Sequence, residues 1–347
     1  MRVAVVGATG IVGQELLRLM GAARFPVSTL RPFSSGRRTA AVRFRGRRYD
    51  APAPTAAELL AADLVFLVSD DDVARRWGPM LQHAGVWTID ESSAFRMRKD
   101  VPLVIPEING SAISGKTPLI AGPNCTVTGL ALAAHALYKS AGAKSIRVAS
   151  YQAVSGAGRD ALLEFLNQAR LCAVKIKKGN ALPDIPALPF SAFPEPIALN
   201  IIPQIGRFDD NGESGEETKV RAELRKLWDA PKLPLSATTV RVPVLRGHSL
   251  AVWMETKKKL SPERAAVILK KTPGVKVWPK KTYPTVYKTA GTHATHIGRI
   301  RQSGAAANEL CFWVVSDNLL KGAALNTLHI AQYLLKKGFL QTTPTRR

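Results

Sequence analysis

The sequence is short of acids. It holds 26 Asp and Glu against 49 Lys and Arg, a formal charge of +23, so its field draws anions into clefts and would equally suit nucleic acid. It has no RNP-type aromatic motif, zinc-finger spacing or basic zipper, and the basic runs at 43–48, 175–178, 257–259, 280–281 and 336–337 flank expected turns or helix ends. A solvated basic surface is the plainer reading and argues against a nucleic-acid partner. Cysteine is scarce too. Cys125, Cys172 and Cys311 are odd in number and widely spaced, which excludes a disulfide framework and any metal-ligand pattern and points to a reducing, cytoplasmic setting. No apolar run reaches transmembrane length, and a strand-like V-A-V-V stands at 3–6 where a signal peptide would otherwise be expected, so no membrane partner is indicated. At 347 residues and 46% hydrophobic, the chain can build two domains with separate cores.

One local absence is informative. After the strand at 3–6 come Gly7, Gly10 and Gly13 in G-A-T-G-I-V-G, then an amphipathic helix over about 14–20. This strand, glycine loop and helix is the arrangement that brings backbone close to a pyrophosphate and aims a helix N-terminus at it, although the spacing is G-x-x-G-x-x-G. A carboxylate about twenty residues further on would grip the ribose 2′-hydroxyl of NAD, yet no acid occurs between Glu15 and Asp50. Instead the second strand, 28–32, runs into F-S-S-G-R-R-T, where Ser34, Ser35, Arg37 and Arg38 can hold a 2′-phosphate. NADP is therefore expected rather than NAD.

The stretch 120–130, I-A-G-P-N-C-T-V-T-G-L, presents Cys125 behind a Gly-Pro-Asn turn. Asn124 and Thr126 can cap a helix, and 130–138 reads as a buried one. A thiol at a helix N-terminus gains from unsatisfied N–H groups and the positive dipole end. A shift from a pKa of ~8.5 to ~6.5 would raise the thiolate fraction at pH 7 from about 3% to about three-quarters. The competing reading is a small buried hydrophobe.

Further strands are expected at 64–68, 86–90, 146–154, 238–244, 298–301 and 310–315, with helices at 159–170, 213–228, from 261, and 317–337. The strand at 64–68 ends in Ser69, Asp70, Asp71 and Asp72. Three carboxylates beside a pyrophosphate would repel it, so they are expected to face solvent or to open the next helix, where acids suit the dipole. Ser214 and Glu217 form an S-x-x-E capping box, behind which Glu216 and Lys219 stand three apart, as a solvated ion pair would. His248 follows Gly247 after the strand that carries Arg241, and His is the side chain best suited to proton transfer near neutral pH.

Seven segments then follow one another in order: G-A-T-G-I-V-G, S-S-A-F-R-M, G-P-N-C-T, Y-Q-A-V-S-G-A-G, N-I-I-P-Q-I, R-V-P-V-L-R-G-H-S and S-D-N-L-L-K-G-A-A-L-N. Together they resemble the aspartate-semialdehyde dehydrogenase family over almost the whole chain. The resemblance implies an α/β fold with an N-terminal Rossmann-type NADP-binding domain (1–126), an inserted α+β catalytic and dimerisation domain (127–315) and a C-terminal helix (316–347) returning to the first domain. It implies a homodimer or tetramer, and reversible, NADP-dependent, phosphate-requiring interconversion of L-aspartate 4-semialdehyde and 4-aspartyl phosphate through a cysteine thioester. The flux would run toward the aldehyde, in lysine, methionine, threonine and diaminopimelate biosynthesis.

Carried over by motif, Cys125 resembles the nucleophile, Gln152 the residue orienting it, and His248 the acid/base. Arg241 resembles the arginine holding the substrate carboxylate, Glu216 the acid facing its amino group, and Arg96, Asn124 and Lys219 the phosphate site. The cofactor set implied is Gly7, Thr9, Gly10, Ile11, Val12, Gly13, Ser35, Arg37 and Arg38, with Ser155, Gly156, Gly158 and Asn318. The chain departs from the family pattern at Asp70 to Asp72, at Val127 and at His293, while Cys125, Gln152 and His248 are all present. Two rivals stay open: a related acyl-phosphate or acyl-CoA reductase with the same thioester chemistry, and a non-catalytic basic binding protein on the same fold. Arg241 with Glu216 suits a free amino acid better than an N-acetylated one.

Overall fold

A computed structural model describes residues 1–34, 40–175 and 187–341. The chain forms two compact units: Met1–His135 with Ala222–Lys232 and Leu319–Arg347, and Ala136–Arg221 with Leu233–Asn318.

The first unit contains β1 (Arg2–Val6), β2 (Thr29–Phe33), β3 (Ala40–Phe44), β4 (Arg47–Ala51), β5 (Leu64–Leu67), β6 (Trp87–Asp90) and β7 (Leu119–Ala121). Five of these make one sheet in the order β2-β1-β5-β6-β7, every pair parallel. The continuous apolar runs of β1 and β5 suit strands covered on both faces, as a parallel sheet requires. Strand order reverses between β1 and β5, and ligands of such sheets bind at the carboxyl ends beside that reversal. The helix Ile11–Ala22 starts inside the glycine motif, three residues before the expected position. β3 and β4 form a hairpin whose turn, Arg45 and Gly46, has positive φ at both positions (49° and 79°), so what reads in sequence as a basic run is a primed β-turn.

The closing helix belongs to the first unit, with Leu325, Leu328, Ala331 and Leu334 buried in the same core as Val3, Val5, Leu16 and Phe66. It is not one helix over 317–337. Leu320–Ala324 is a π-turn and the α-helix proper is Leu325–Lys336. Lys321 sits in the π-turn at 1% exposure, and its ammonium is held by Glu107 Oε2 (2.8 Å) and Asn326 Oδ1 (2.9 Å), the pairing that a buried lysine needs.

The second unit contains β8 (Ala143–Gln152), β9 (Leu235–Arg241), β10 (His248–Thr256), β11 (Val275–Val277), β12 (Thr295–Gln302) and β13 (Glu309–Ser316), in the order β11-β12-β13-β10-β8-β9. Alternation on β8, β10 and β13 buries Ile146, Val148, Leu250, Val252, Phe312 and Val314, and leaves Arg147 and Tyr151 exposed on the other face with Trp253 and Trp313 half-buried. Two strands are displaced from their sequence positions. β9 ends at Arg241, not at 244, because Pro243 cannot donate to a ladder. His248 is not in a turn but opens β10, hydrogen-bonded between β8 and β13.

Candidate active site

At the reversal point Gly7 has φ +87°, and a Cβ on Gly13 would overlap the Gly7 carbonyl, so both positions require glycine. Gly10 caps the helix Ile11–Ala22, whose first turn carries no acid, leaving the amides of Ile11, Val12 and Gly13 at an anion-accepting N-terminus. Ser69 Oγ, at the end of β5 beside Gly7, is buried and finds no partner among the described residues. An orphaned hydroxyl beside a glycine loop fits a dinucleotide, and sequence reading passed over Ser69 because three aspartates follow it. Those aspartates open a helix. Asp70 caps Asp71–His83 by accepting from the Val73 amide, and Asp71 accepts from the amide (2.8 Å) and hydroxyl (2.6 Å) of Ser93. Of the two expectations, opening the next helix is the one seen for all three, whereas Asp72 alone is fully exposed and Asp70 and Asp71 are half-buried. Ser34 is buried against the Pro52 carbonyl, while Ser35, Arg37 and Arg38 lie outside the described residues.

The nucleophile candidate is the first residue of the helix Cys125–Ala141, five residues earlier than the apolar pattern suggested. Asn124 makes the difference: its Oδ1 accepts from the amides of Thr126 (2.8 Å) and Val127 (3.2 Å), a side-chain N-cap. Cys125 is partly exposed, whereas Cys172 and Cys311 are buried. Arg96, 8% exposed, interacts electrostatically with Cys125 and donates to the Gly122 carbonyl (2.9 Å), the Glu91 carbonyl (2.7 Å) and Glu223 (3.1 Å). Beneath this turn, burial pushes the Glu91 carboxyl up to about 8 and that of Asp90 up to about 6. A Cβ on Gly122 would overlap the Glu91 carboxyl, which also accepts from Thr327 Oγ1.

The second unit gathers four of the expected residues at one end of its sheet. Gln152 closes β8, Arg241 closes the parallel β9 and pairs with it in register, and His248 opens the antiparallel β10. Gln152 Nε2 donates to Glu216 (3.1 Å) and to Ser150 Oγ (3.1 Å), and Glu216 is buried in the first turn of Gly215–Leu227. That helix is anchored by Glu217, which accepts from the amides of Ser214 and Thr239, while the Ser214 hydroxyl turns to Thr239 instead of completing the box. Lys219, one turn on, is exposed. The Ala153 amide donates to His248 Nδ1 (3.1 Å), so the neutral ring carries its proton on Nε2. Burial, and next the Arg241 guanidinium, push His248 down to about 3.

Gly156 packs against that pair. A Cβ there would stand 3.0 Å from Arg241 Nη1 and 3.3 Å from His248 Cε1. Gly158 has φ +93° and nothing within 4 Å of a Cβ. Asn318, expected at the cofactor, accepts from the Gly247 amide (2.8 Å) and donates to Ser155 Oγ (3.0 Å), so it ties the loop before His248 to residue 155. Thr9 is half-buried and its carbonyl accepts from Gln14. Among the described residues no cluster of His, Cys, Asp or Glu could hold a metal ion, and no helix is long and apolar enough to cross a membrane.

A glycine loop at the reversal of a parallel sheet, with a partly exposed thiol at a helix N-terminus, is the equipment of a nicotinamide-dependent oxidoreductase that works through cysteine. Residues 2–116 match the family model for the semialdehyde dehydrogenase NAD-binding domain, and residues 135–321 that for the semialdehyde dehydrogenase dimerisation domain. Aspartate-semialdehyde dehydrogenase from Aquifex aeolicus is 37% identical over 98% of this chain and 99% of its own, and that from Bacillus subtilis 35% identical over 97% and 98%. Aspartate semialdehyde dehydrogenase II from Vibrio cholerae superposes with a TM-score of 0.91 at 32% identity, covering 96% of this chain and 98% of its own; its structure complexed with ASA gives 0.90. The chain belongs to the aspartate-semialdehyde dehydrogenase family.

Proposed function

We propose that the protein interconverts L-aspartate 4-semialdehyde and 4-aspartyl phosphate, with NADP and inorganic phosphate, in the cytoplasm and on the biosynthetic route to lysine, methionine, threonine and diaminopimelate. The observation that carries this is Cys125, the one partly exposed cysteine, opening a capped helix beside a guanidinium. Both neighbours favour its thiolate. In the direction that consumes aldehyde, the thiolate adds to the carbonyl carbon and the new oxyanion accepts a hydrogen bond from Nε2–H of His248. The bound nicotinamide supplies the hydride chemistry. The acyl group then rests on Cys125 as a thioester, and phosphate displaces the thiolate. Because Ala153 occupies Nδ1, His248 works here as a neutral donor, a narrower role than the proton transfer expected from sequence.

Arg241 holds the substrate carboxylate and Glu216 its ammonium, while Gln152, fixed by Glu216, orients the acyl carbonyl. Asn124, Lys219 and the two Arg96 N–H groups not given to the protein are proposed to hold phosphate. The glycine loop, with Ile11 and Val12, receives the pyrophosphate, and Ser35, Arg37 and Arg38 the 2′-phosphate, so NADP is preferred. Two copies are proposed to dimerise through the open face of the second sheet, where the Tyr151 and Trp313 rings pack at a tilt with centroids 5.6 Å apart. NADPH formation measured spectrophotometrically from aspartate semialdehyde tests the reading. It should require phosphate and should exceed the rate with NAD or with an N-acetylated semialdehyde; phosphate-independent or NAD-preferring turnover contradicts it.

A further inference from the structure

The turn that presents Cys125 is gripped from both sides by one buried ion pair. Arg96 Nε donates to the Gly122 carbonyl (2.9 Å) and Arg96 Nη1 to Glu223 Oε1 (3.1 Å). The other oxygen of Glu223 accepts from the Asn124 amide (2.7 Å). The pair therefore bridges the backbone ahead of Pro123 to the backbone behind it, and Pro123 itself has no amide to satisfy. Glu223 is 1% exposed, and its carboxylate answers two donors at once, the condition under which a buried charge is stable. Three residues along the same helix face, Lys226 Nζ donates to the carbonyls of Arg96 (2.7 Å), Arg98 (2.6 Å) and Val101 (2.8 Å), so this stretch of helix also fixes the loop that carries the guanidinium. Gly122 and Asn124 are held by their other backbone groups as well: the Gly122 amide donates to the Asp90 carbonyl (2.7 Å) and the Asn124 carbonyl accepts from Thr128.

We infer that Glu223 is a positioning residue for Cys125: through Arg96 and the Asn124 amide it holds the 122–124 turn so that the thiol opens the helix beside the guanidinium. This builds on Cys125 as the nucleophile. Arg96 then serves the turn first, and only its two unassigned N–H groups remain for phosphate.

The test is Glu223→Gln, which keeps the shape but offers one carbonyl oxygen where two donors need acceptors. Alkylation of Cys125 by iodoacetamide, followed by peptide mass spectrometry across pH, reads the thiol directly and needs no substrate. The two possible roles predict opposite signs. Were Glu223 only a nearby negative charge, its removal would strengthen the local positive field, lower the alkylation midpoint and speed the reaction at pH 7. Loss of positioning takes the sulfur away from the helix end and the guanidinium, so the midpoint should rise and the rate at pH 7 should fall about tenfold. Alongside it kcat should fall at least tenfold with KM for aspartate semialdehyde within about twofold, and Glu223→Asp, which keeps the charge, should recover part of both. A lowered or unchanged midpoint overturns the inference. If Glu223→Gln does not fold, the same sign is read from Glu223→Asp against the parent chain. A protein that shows the alkylation shift but no activity toward aspartate semialdehyde would support the positioning role and contradict the proposed substrate instead.

Discussion

Each unit buries an arginine against one of its proposed reactive side chains, and the two arginines have opposite consequences. Arg96 lies near a thiol whose charged form is an anion, so its field favours ionisation. Arg241 lies near an imidazole whose charged form is a cation, so its field, added to burial, holds the ring neutral. The same group thus promotes a nucleophile in one unit and fixes a hydrogen-bond donor in the other, and the sign of the neighbour's charge decides which. Arg96 donates to Glu223, and one Nη of Arg241 donates to the carbonyl of Ala153 (2.7 Å), the residue whose amide occupies His248 Nδ1.

The contrast can be broken most severely at the sulfur. Cys125→Ser should bring phosphate-dependent NADPH formation below detection, since a serine hydroxyl is a poor nucleophile without a strong base. Near-normal turnover by that variant would remove the first half of the comparison. Next, His248→Asn should lose roughly 10²- to 10³-fold in kcat, the usual cost of a lost oxyanion donor, with KM little changed. Because His248 titrates near 3, the ratio of parent to variant rates should stay constant from pH 5.5 to 8; a ratio that bends near pH 6.5 would show the ring changing charge in turnover. Gly156→Ala pushes a methyl toward both Arg241 and His248 and should cost roughly ten- to a hundredfold in kcat with little change in melting temperature. Equal activity would mean that the pair is free to move.

The smallest effect concerns stability, and its sign differs between the units. Glu91 and Asp90 have values raised by burial, so the folded state holds their protons more tightly and their contribution is lost as pH climbs from about 4 toward 8. His248 has a lowered value, so its contribution is intact above about 6.5 and is lost as pH falls toward about 3. Glu91→Gln should therefore melt within error of the parent chain at pH 5 and about 2 to 4 °C higher at pH 9, with the acid limb unchanged. Calorimetry at the two pH values decides it.

The residues that carry chemistry were legible in sequence where a short motif contains its own physical reason. The glycine loop and the capped cysteine are of this kind, whereas Gln152 and Arg241 come from the family resemblance alone, the expected strands running on past both. What stayed hidden depends on pairs far apart in the chain. Glu223 reads as one more acid on a charged helix, and its partner Arg96 is 127 residues away. The hydrogen bond from the Gly247 amide to Asn318 joins positions 71 residues apart and leaves no local mark in the sequence. His248 reads as a turn residue because Gly247 precedes it, yet its pairing with Ser316 of β13 brings it into the sheet. The π-turn at Leu320–Ala324 (L-K-G-A-A) is too short to carry a periodicity of its own and runs directly into the helix.

Gly122 carries a consequence for heredity. The space that a side chain would need there is filled by the Glu91 carboxyl, itself fastened to Thr327. Positions 91 and 122 are therefore not free to drift apart: a descendant that acquires any side chain at 122 must shorten or redirect residue 91, and Thr327 then keeps only the Ala323 carbonyl as acceptor. Three positions spread over more than two hundred residues are thereby coupled in inheritance, since a change at 122 displaces the carboxyl at 91 and through it one contact of residue 327.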